Sequence, residues 1–375
     1  MAYGRLAKPK FYIDALSLAS SLGEVDYNHS SEASLMRMFH LNPSGSGTEI
    51  TPGVSGDTPE TVSIAFGDHS TDNIEGSKWI PSITWIGVLG TDMDNLSPSG
   101  TDLRLIFKAG FTISNGDSFT DTTLSTSAIN SEYYGINSVL QNWFSIGRGY
   151  SLFEIDTSPW INSAASNYTR FSVEINNYNA NENTLKFGSI AAGWSWSPSF
   201  NPDIGITEEY SMEGTRTQRT LGGKDITRID YVGSPPWVGG LRPFQRSDRT
   251  DLGNGAGNNT SLNFRKRWSM NFSFIDDTKM KPDFNFDHAT WGGTAPFTYI
   301  PSSSTSDLNG YYDKIQDNFI SKVWFGTMGG KLPFVFQPNS EVEEFHVVRF
   351  IQESVSFENV AHNTISVEFE LEEVW

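Results

Sequence analysis

The sequence predicts a mainly β protein: an N-terminal β-sandwich of jelly-roll kind over residues 1–185, then a C-terminal antiparallel β module with one flanking helix over 186–375. Three observations predict it. Short apolar runs recur along the chain between turns rich in Gly, Pro, Ser, Thr and Asn, which is the punctuation of strands. Charged residues make up only 19%, so the Glu and Lys supply of a long-helix protein is missing. The last segment alternates, with Ile365, Val367, Phe369 and Leu371 on one face and Ser366, Glu368, Glu370 and Glu372 on the other. That is the period of two of a strand with one face buried.

In chain order, the N-terminus is basic and then mildly apolar. Its apolar part is interrupted by Asp14 and Ser17, so it does not read as a secretion signal. A strand-like run covers Lys10 to Ile13, and a Pro/Gly/Ser/Thr loop fills 43–60. Strand signals follow at Val62–Phe66, Ser82–Leu89, Asp102–Phe107, Leu152–Ile155, Arg170–Ile175 and Leu185–Ile190. Asn130 to Phe144 has the spacing of a short helix. Near residue 200 the character changes, as tryptophans and prolines give way to a basic stretch. Trp268–Ile275 then alternates as a strand. From 307 to 325 the apolar residues Leu308, Tyr312, Ile315, Phe319 and Val323 have helical spacing, with Gly329-Gly330 as the stop. Strands are expected at Leu332–Gln337, Phe345–Phe357 and Thr364–Trp375.

Composition excludes several functions. With no cysteine, disulfides, thiolate chemistry and Cys-based zinc sites are out. A net charge of −18 opposes nucleic-acid binding by the surface as a whole. No run of eighteen apolar residues predicts a membrane span. The six histidines lack metal-ligand spacing, and Asp92-x-Asp94-Asn95 lacks the glycine and distal glutamate of an EF-hand loop. Gly253-x-Gly255-x-Gly257 lacks the Lys-Ser/Thr of a phosphate loop. No Gly-x-Ser-x-Gly run announces a serine nucleophile. The expectation is a protein with no catalytic residue, no cofactor and no metal.

Charge is distributed unevenly. Between Arg216 and Arg267 ten Lys/Arg face four Asp/Glu, a basic island in an acidic chain. Arg216, Arg219, Arg265, Lys266 and Arg267 are therefore candidate interface residues. The acidic last strand, with Glu368, Glu370, Glu372, Glu373 and the terminal Trp375, is their expected counterpart on a neighbouring copy. Trp79, Trp85 and Trp160 are candidate glycan contacts, since an indole face stacks on sugars as readily as it fills a core.

Gly329 to Pro338 reads GGKLPFVFQP, and Val347 to Trp375 reads VVRFIQESVSFENVAHNTISVEFELEEVW. Together they resemble the C-terminus of a group of structural proteins from tailed bacteriophages. Thr215 to Tyr231, with Arg216, Gln218, Arg219, Gly222 and Gly223, is similar to the middle of that group. The start and Trp85-Ile86-Gly87-Val88 are looser matches. The resemblance implies a virion component of the tail tip or baseplate, distal-tail-like, assembled in the host cytoplasm. Its partners would be copies of itself and other virion proteins. A host-surface carbohydrate adhesin and a capsid decoration or neck protein are the alternatives.

Overall fold

The structure is a computed structural model that describes residues 8–21, 25–28, 38–41, 48–50, 60–66, 84–89, 103–112, 119–123, 151–154, 170–177, 185–203, 206–211, 215–229, 265–281, 318–342 and 344–374. These segments are mainly β and antiparallel, as expected.

One large sheet organises the molecule. Its centre is β1 (Lys10–Asp14), with Phe11 opposite Trp196 of β11 (Ser189–Trp196) on one side and opposite Phe336 of β16 (Phe334–Gln337) on the other. Beyond β11 lie β5 (Trp85–Leu89) and β8 (Ser151–Glu154). Beyond β16 lie β17 (His346–Phe350), β19 (Thr364–Glu373), β15 (Arg265–Asp276) and β12 (Thr207–Ser211). The tenth strand, β18 (Glu358–Ala361), pairs with the start of β19. The 185/186 division falls inside β10 (Leu185–Phe187), and the large sheet takes β1, β5 and β8 from before it.

A second sheet holds five strands in the order β2 (Val25–Asn28), β4 (Glu60–Phe66), β9 (Arg170–Asn177), β6 (Leu103–Thr112) and β7 (Phe119–Thr123). β3 (Thr48–Ile50) pairs with β10, and β13 (Thr215–Arg219) pairs with β14 (Asp225–Ile229), each as a ribbon of two strands.

The central strands are apolar in succession because both their faces are covered. Phe11 and Ile13 point into one buried cluster, and Tyr12 points into a second one beyond the sheet. The first cluster joins Phe11, Trp196, Phe334, Phe336 and Phe319, and Phe319 stacks on Phe369 at 4.3 Å. Ile64 of β4 belongs to this cluster too. At the end of β1 the buried Asp14 turns the chain into α1 (Ala15–Ser21). One carboxylate oxygen accepts from Leu16 N (3.1 Å) and Ala192 N (3.2 Å), the other from Ser17 N (3.3 Å), which caps the helix and anchors it to β11.

The helix expected over 307–325 is described only from 318, and its observed part is a π-turn, Ile320–Trp324. Phe325 N reaches Ile320 O at 2.9 Å and Gly329 N reaches Trp324 O at 2.8 Å. Gly326 explains the close seating of this turn: a Cβ there would lie 2.5 Å from Lys322 O and 2.8 Å from Ile13 Cγ2. Met328, Gly329 and Gly330 then pass through the left-handed region, and the chain reverses into β16. The strand expected over Phe345–Phe357 stops at Phe350. The short helix expected over 130–144 lies outside the described residues.

Candidate functional site on the C-terminal sheet

β15 and β19 run side by side, in continuous register from Arg267 to Phe272, with Trp268 opposite Leu371, Met270 opposite Phe369 and Phe272 opposite Val367. These residues form the core face. One step further along the same face, alternation places Lys266 on β15, Glu373 on β19 and His346 on β17, ahead of Val348 and Phe350. The strand period thus carries three ionisable side chains to the rim of the hydrophobic core.

They meet there as a clasp. Lys266 Nζ lies 2.7 Å from Glu208 and 2.8 Å from Glu344, and the Lys266 backbone N–H donates to Glu373 at 2.9 Å. His346 Nδ1 is 2.7 Å from Glu373 and Nε2 is 3.0 Å from Glu344. His346 is 2% exposed, Lys266 5% and Glu373 0%. Both ring nitrogens of His346 face carboxylate oxygens, so both donate and the ring is an imidazolium. Burial alone would depress its pKa, but the bonds to Glu344 and Glu373 overcome this and the net shift is upward. Glu344 is held down at about 2, first by His346, with burial opposing and Lys266 adding to the effect. Lys266 is raised: burial acts against its charge, and the Glu208 and Glu344 bonds outweigh it. The Trp268 ring covers the imidazolium at 4.7 Å, and Tyr210 lies 5.4 Å from the Lys266 ammonium.

An imidazolium with both nitrogens occupied cannot accept a proton, and Lys266 fills the place where a cation would sit between Glu208 and Glu344. The clasp therefore ties together β12, β15, β17, β19 and the segment before β17. Among the described residues no group of three or more acidic or histidine side chains is placed to hold a metal ion.

The opposite face of the same strands carries a ladder of charges. Arg349 donates to Glu372 Oε1 from Nε (2.8 Å) and Nη2 (2.6 Å), and Arg267 Nη2 is 3.6 Å from Glu372 Oε2. Glu209 is the register partner of Arg267. These contacts correct the sequence expectation. Lys266 does not await a neighbour's acidic strand, because it is buried against Glu208 and Glu344 of its own chain, and Arg267, still partly exposed, lies 3.6 Å from Glu372 of its own chain. Glu372 and Glu373, read from sequence as part of a solvated or partner-facing surface, are buried. Arg265 sits half-buried opposite Ser211. Only Glu368 and Glu370 of the expected acidic set stay exposed; Glu368 accepts from Ser269 Oγ at 3.2 Å.

Of the rest of the basic island, Arg216, Arg219, Lys224 and Arg228 belong to the β13–β14 hairpin, and Arg242, Arg246 and Arg249 lie outside the described residues. Arg219 is exposed and 3.9 Å from Asp225, and Arg216 is the register partner of Arg228. Trp85 is no glycan contact. Its ring is fully buried and its indole N–H points between Ile13 O and Trp194 O, each 3.2 Å away. Trp79, Trp160 and Trp375 lie outside the described residues.

Two other polar clusters flank β1. Tyr12 donates to Glu154 at 2.7 Å, and Lys10 also bonds Glu154. Ser20 Oγ lies 3.0 Å from His40 Nε2. Asp14 bonds Leu16, Ser17 and Ala192, and the Ser20–His40 pair ties α1 to residues 38–41. Sequence reading missed Glu208, Glu344 and His346, of which Glu208 lies far from the other two in the chain; the signal for His346 was its place two residues before Val348 on the core face.

No protein-family model, curated protein or solved structure matches the chain. No helix among the described residues is long and apolar enough to cross a membrane.

Proposed function

We propose that this chain is a structural subunit of a tailed-phage virion, placed at the tail tip or baseplate, where it oligomerises and links tail parts. The observation that carries the reading is the meeting of the C-terminal phage-like segments in one block. The Gly329-Gly330 turn, β16, β17, β18 and β19 are successive parts of one sheet, and its outer end is locked by the clasp. A subunit that must transmit load needs such a rigid scaffold, together with exposed surfaces of matched charge. The basic hairpin and the exposed acids of β19 supply both signs. Immunogold labelling of the source phage with antibody raised against the chain tests the reading. Gold at one end of the tail is the expected result; unlabelled, intact virions would reject it.

A further inference from the structure

The β13–β14 hairpin forms a sheet of its own among the described residues. A two-stranded ribbon standing alone in water is marginally stable at best, yet this one is built for rigidity at its tip. Thr220 N bonds Lys224 O (2.8 Å), Gly223 N bonds Thr220 O (2.9 Å), and the Thr220 hydroxyl bonds both ends of Lys224. The turn so fixed displays Leu221 fully to solvent, with Ile226 exposed nearby. Within Thr215–Ile229, Arg216, Arg219, Lys224 and Arg228 stand against one acid, Asp225. The ribbon is thus a basic arm with an apolar tip.

A surface of the opposite character lies around the start of β19. Glu358, Glu368 and Glu370 are exposed there, and Glu358 is paired with Ser366, two residues from Glu368 on the same face of β19. Each strand flanking this segment is irregular. The register of β15 slips between Phe272 and Ile275, and Phe274 is 70% exposed; that of β18 slips between Asn359 and Ala361, and Val360 is 47% exposed. A bulge re-aims a side chain that the pleat would otherwise pack. Between β17 and β18, Gln352 occupies the gap along β19, accepting from Glu370 N (2.8 Å) and donating to Glu368 O (3.2 Å). This fills the backbone gap on β19 between β17 and β18, so a partner at that point meets side chains.

We propose that the β13–β14 hairpin of one copy docks on this acidic, bulged surface of a second copy. Arg219 and Lys224 lie against Glu358, Glu368 and Glu370, and Leu221 is covered by Phe274 and Val360 of the second copy. The partner is a second copy because one chain carries both halves, a basic arm with an apolar tip and an acidic face with apolar bulges. The proposal rests on the assembly reading above and names the contact that makes the assembly.

The chain has no cysteine, so introduced thiols report cleanly. Full-length Leu221→Cys mixed with full-length Phe274→Cys should give a disulfide-linked heterodimer under mild oxidation, while Leu221→Cys mixed with Phe325→Cys should not. In light scattering, Arg219→Glu with Lys224→Glu should weaken self-association at least tenfold, as should Glu368→Lys with Glu370→Lys. All four changes in one chain should restore it. An assembly unmoved by either reversal, or equal cross-linking to Phe325→Cys, overturns the docking site and leaves the assembly reading standing. A wild-type chain that stays monomeric at every concentration overturns both.

Discussion

The clasp at the end of β19 and the β13–β14 hairpin are both rich in charge, yet the charge does opposite things in the two places. In the clasp two cations and three carboxylates are packed within hydrogen-bond reach, and His346 and Glu373 are out of water. In the hairpin four cations face one acid, and Thr217–Arg219 and Leu221–Ile226 are exposed. Net charge along the sequence does not distinguish Lys266 of the clasp from the cations of the hairpin, since all of them lie in the basic island between Arg216 and Arg267. What separates cohesion from recognition is burial: a matched charge in the core locks strands together, and an unmatched charge on a ribbon is left to seek a partner.

The difference is broken most sharply at Glu373. Glu373→Ala leaves the His346 imidazolium with one carboxylate and the Lys266 backbone N–H without its acceptor. Removing one partner of a buried ion pair typically costs about 3–5 kcal/mol. Urea unfolding of the full chain should show a midpoint shift of that size, with the hairpin untouched. A loss below about 1 kcal/mol would place the clasp with surface ion pairs.

Acidity acts on the same group from both sides. His346 has a raised folded-state pKa, so its contribution is fully present below the unfolded value and disappears as pH climbs through the raised one. Glu344 is depressed to about 2, so its contribution is present above the ordinary carboxylate range and fades as pH falls toward that value. These two groups alone would give a plateau at mildly acidic pH with a decline in both directions; Asp14, pushed up to about 7 by burial, adds a decline across that range as pH rises. His346→Gln should shrink the alkaline limb and also weaken the acid limb, because His346 is the largest cause holding Glu344 down and only Lys266 is left to do so. Thermal unfolding followed across pH reads this directly, and an unchanged alkaline limb in the variant would remove His346 from the clasp.

The class of fold was legible because alternation is a local signal. Ile365 to Leu371 could hardly be anything but one side of a strand, and β19 follows. The role of the charges was not legible, because alternation does not report what lies across a strand. Glu372 has the same parity as Glu368 and Glu370 and looks equally solvated, until Arg349 and Arg267 close over it from β17 and β15. Lys266 read as a free cation for the same reason: its acceptors Glu208 and Glu344 lie on segments 58 and 78 positions away. Trp85 failed as a surface aromatic even though a local mark was present: the unbroken apolar run Trp85–Leu89 is that of a strand with both faces covered.

The outer ladder is intermediate between the two regions. Arg349 grips Glu372 with two nitrogens but is half-exposed. Arg349→Ala should cost roughly 1 kcal/mol, the upper end for exposed pairs. High salt should shrink that difference and leave the Glu373→Ala loss nearly intact, since buried pairs are screened far less.

The hairpin should give the smallest effect on folding. Arg219→Ala with Lys224→Ala removes exposed charge from a ribbon whose tip is held by Thr220, and neither side chain supports the core. Among the described residues, the ion pair disturbed is the long contact from Arg219 to Asp225 at 3.9 Å. Surface substitutions of this kind change stability by no more than about 0.5 kcal/mol, so the urea midpoint should stay in place. Self-association measured on the same preparation should nevertheless fall. That pairing of outcomes, folding unmoved and assembly weakened, is the reverse of what Glu373→Ala should give through the core. If the alanine pair instead lowered the midpoint as far as Arg349→Ala does, the ribbon would be bound to its own chain, and its charge would serve cohesion as the clasp does.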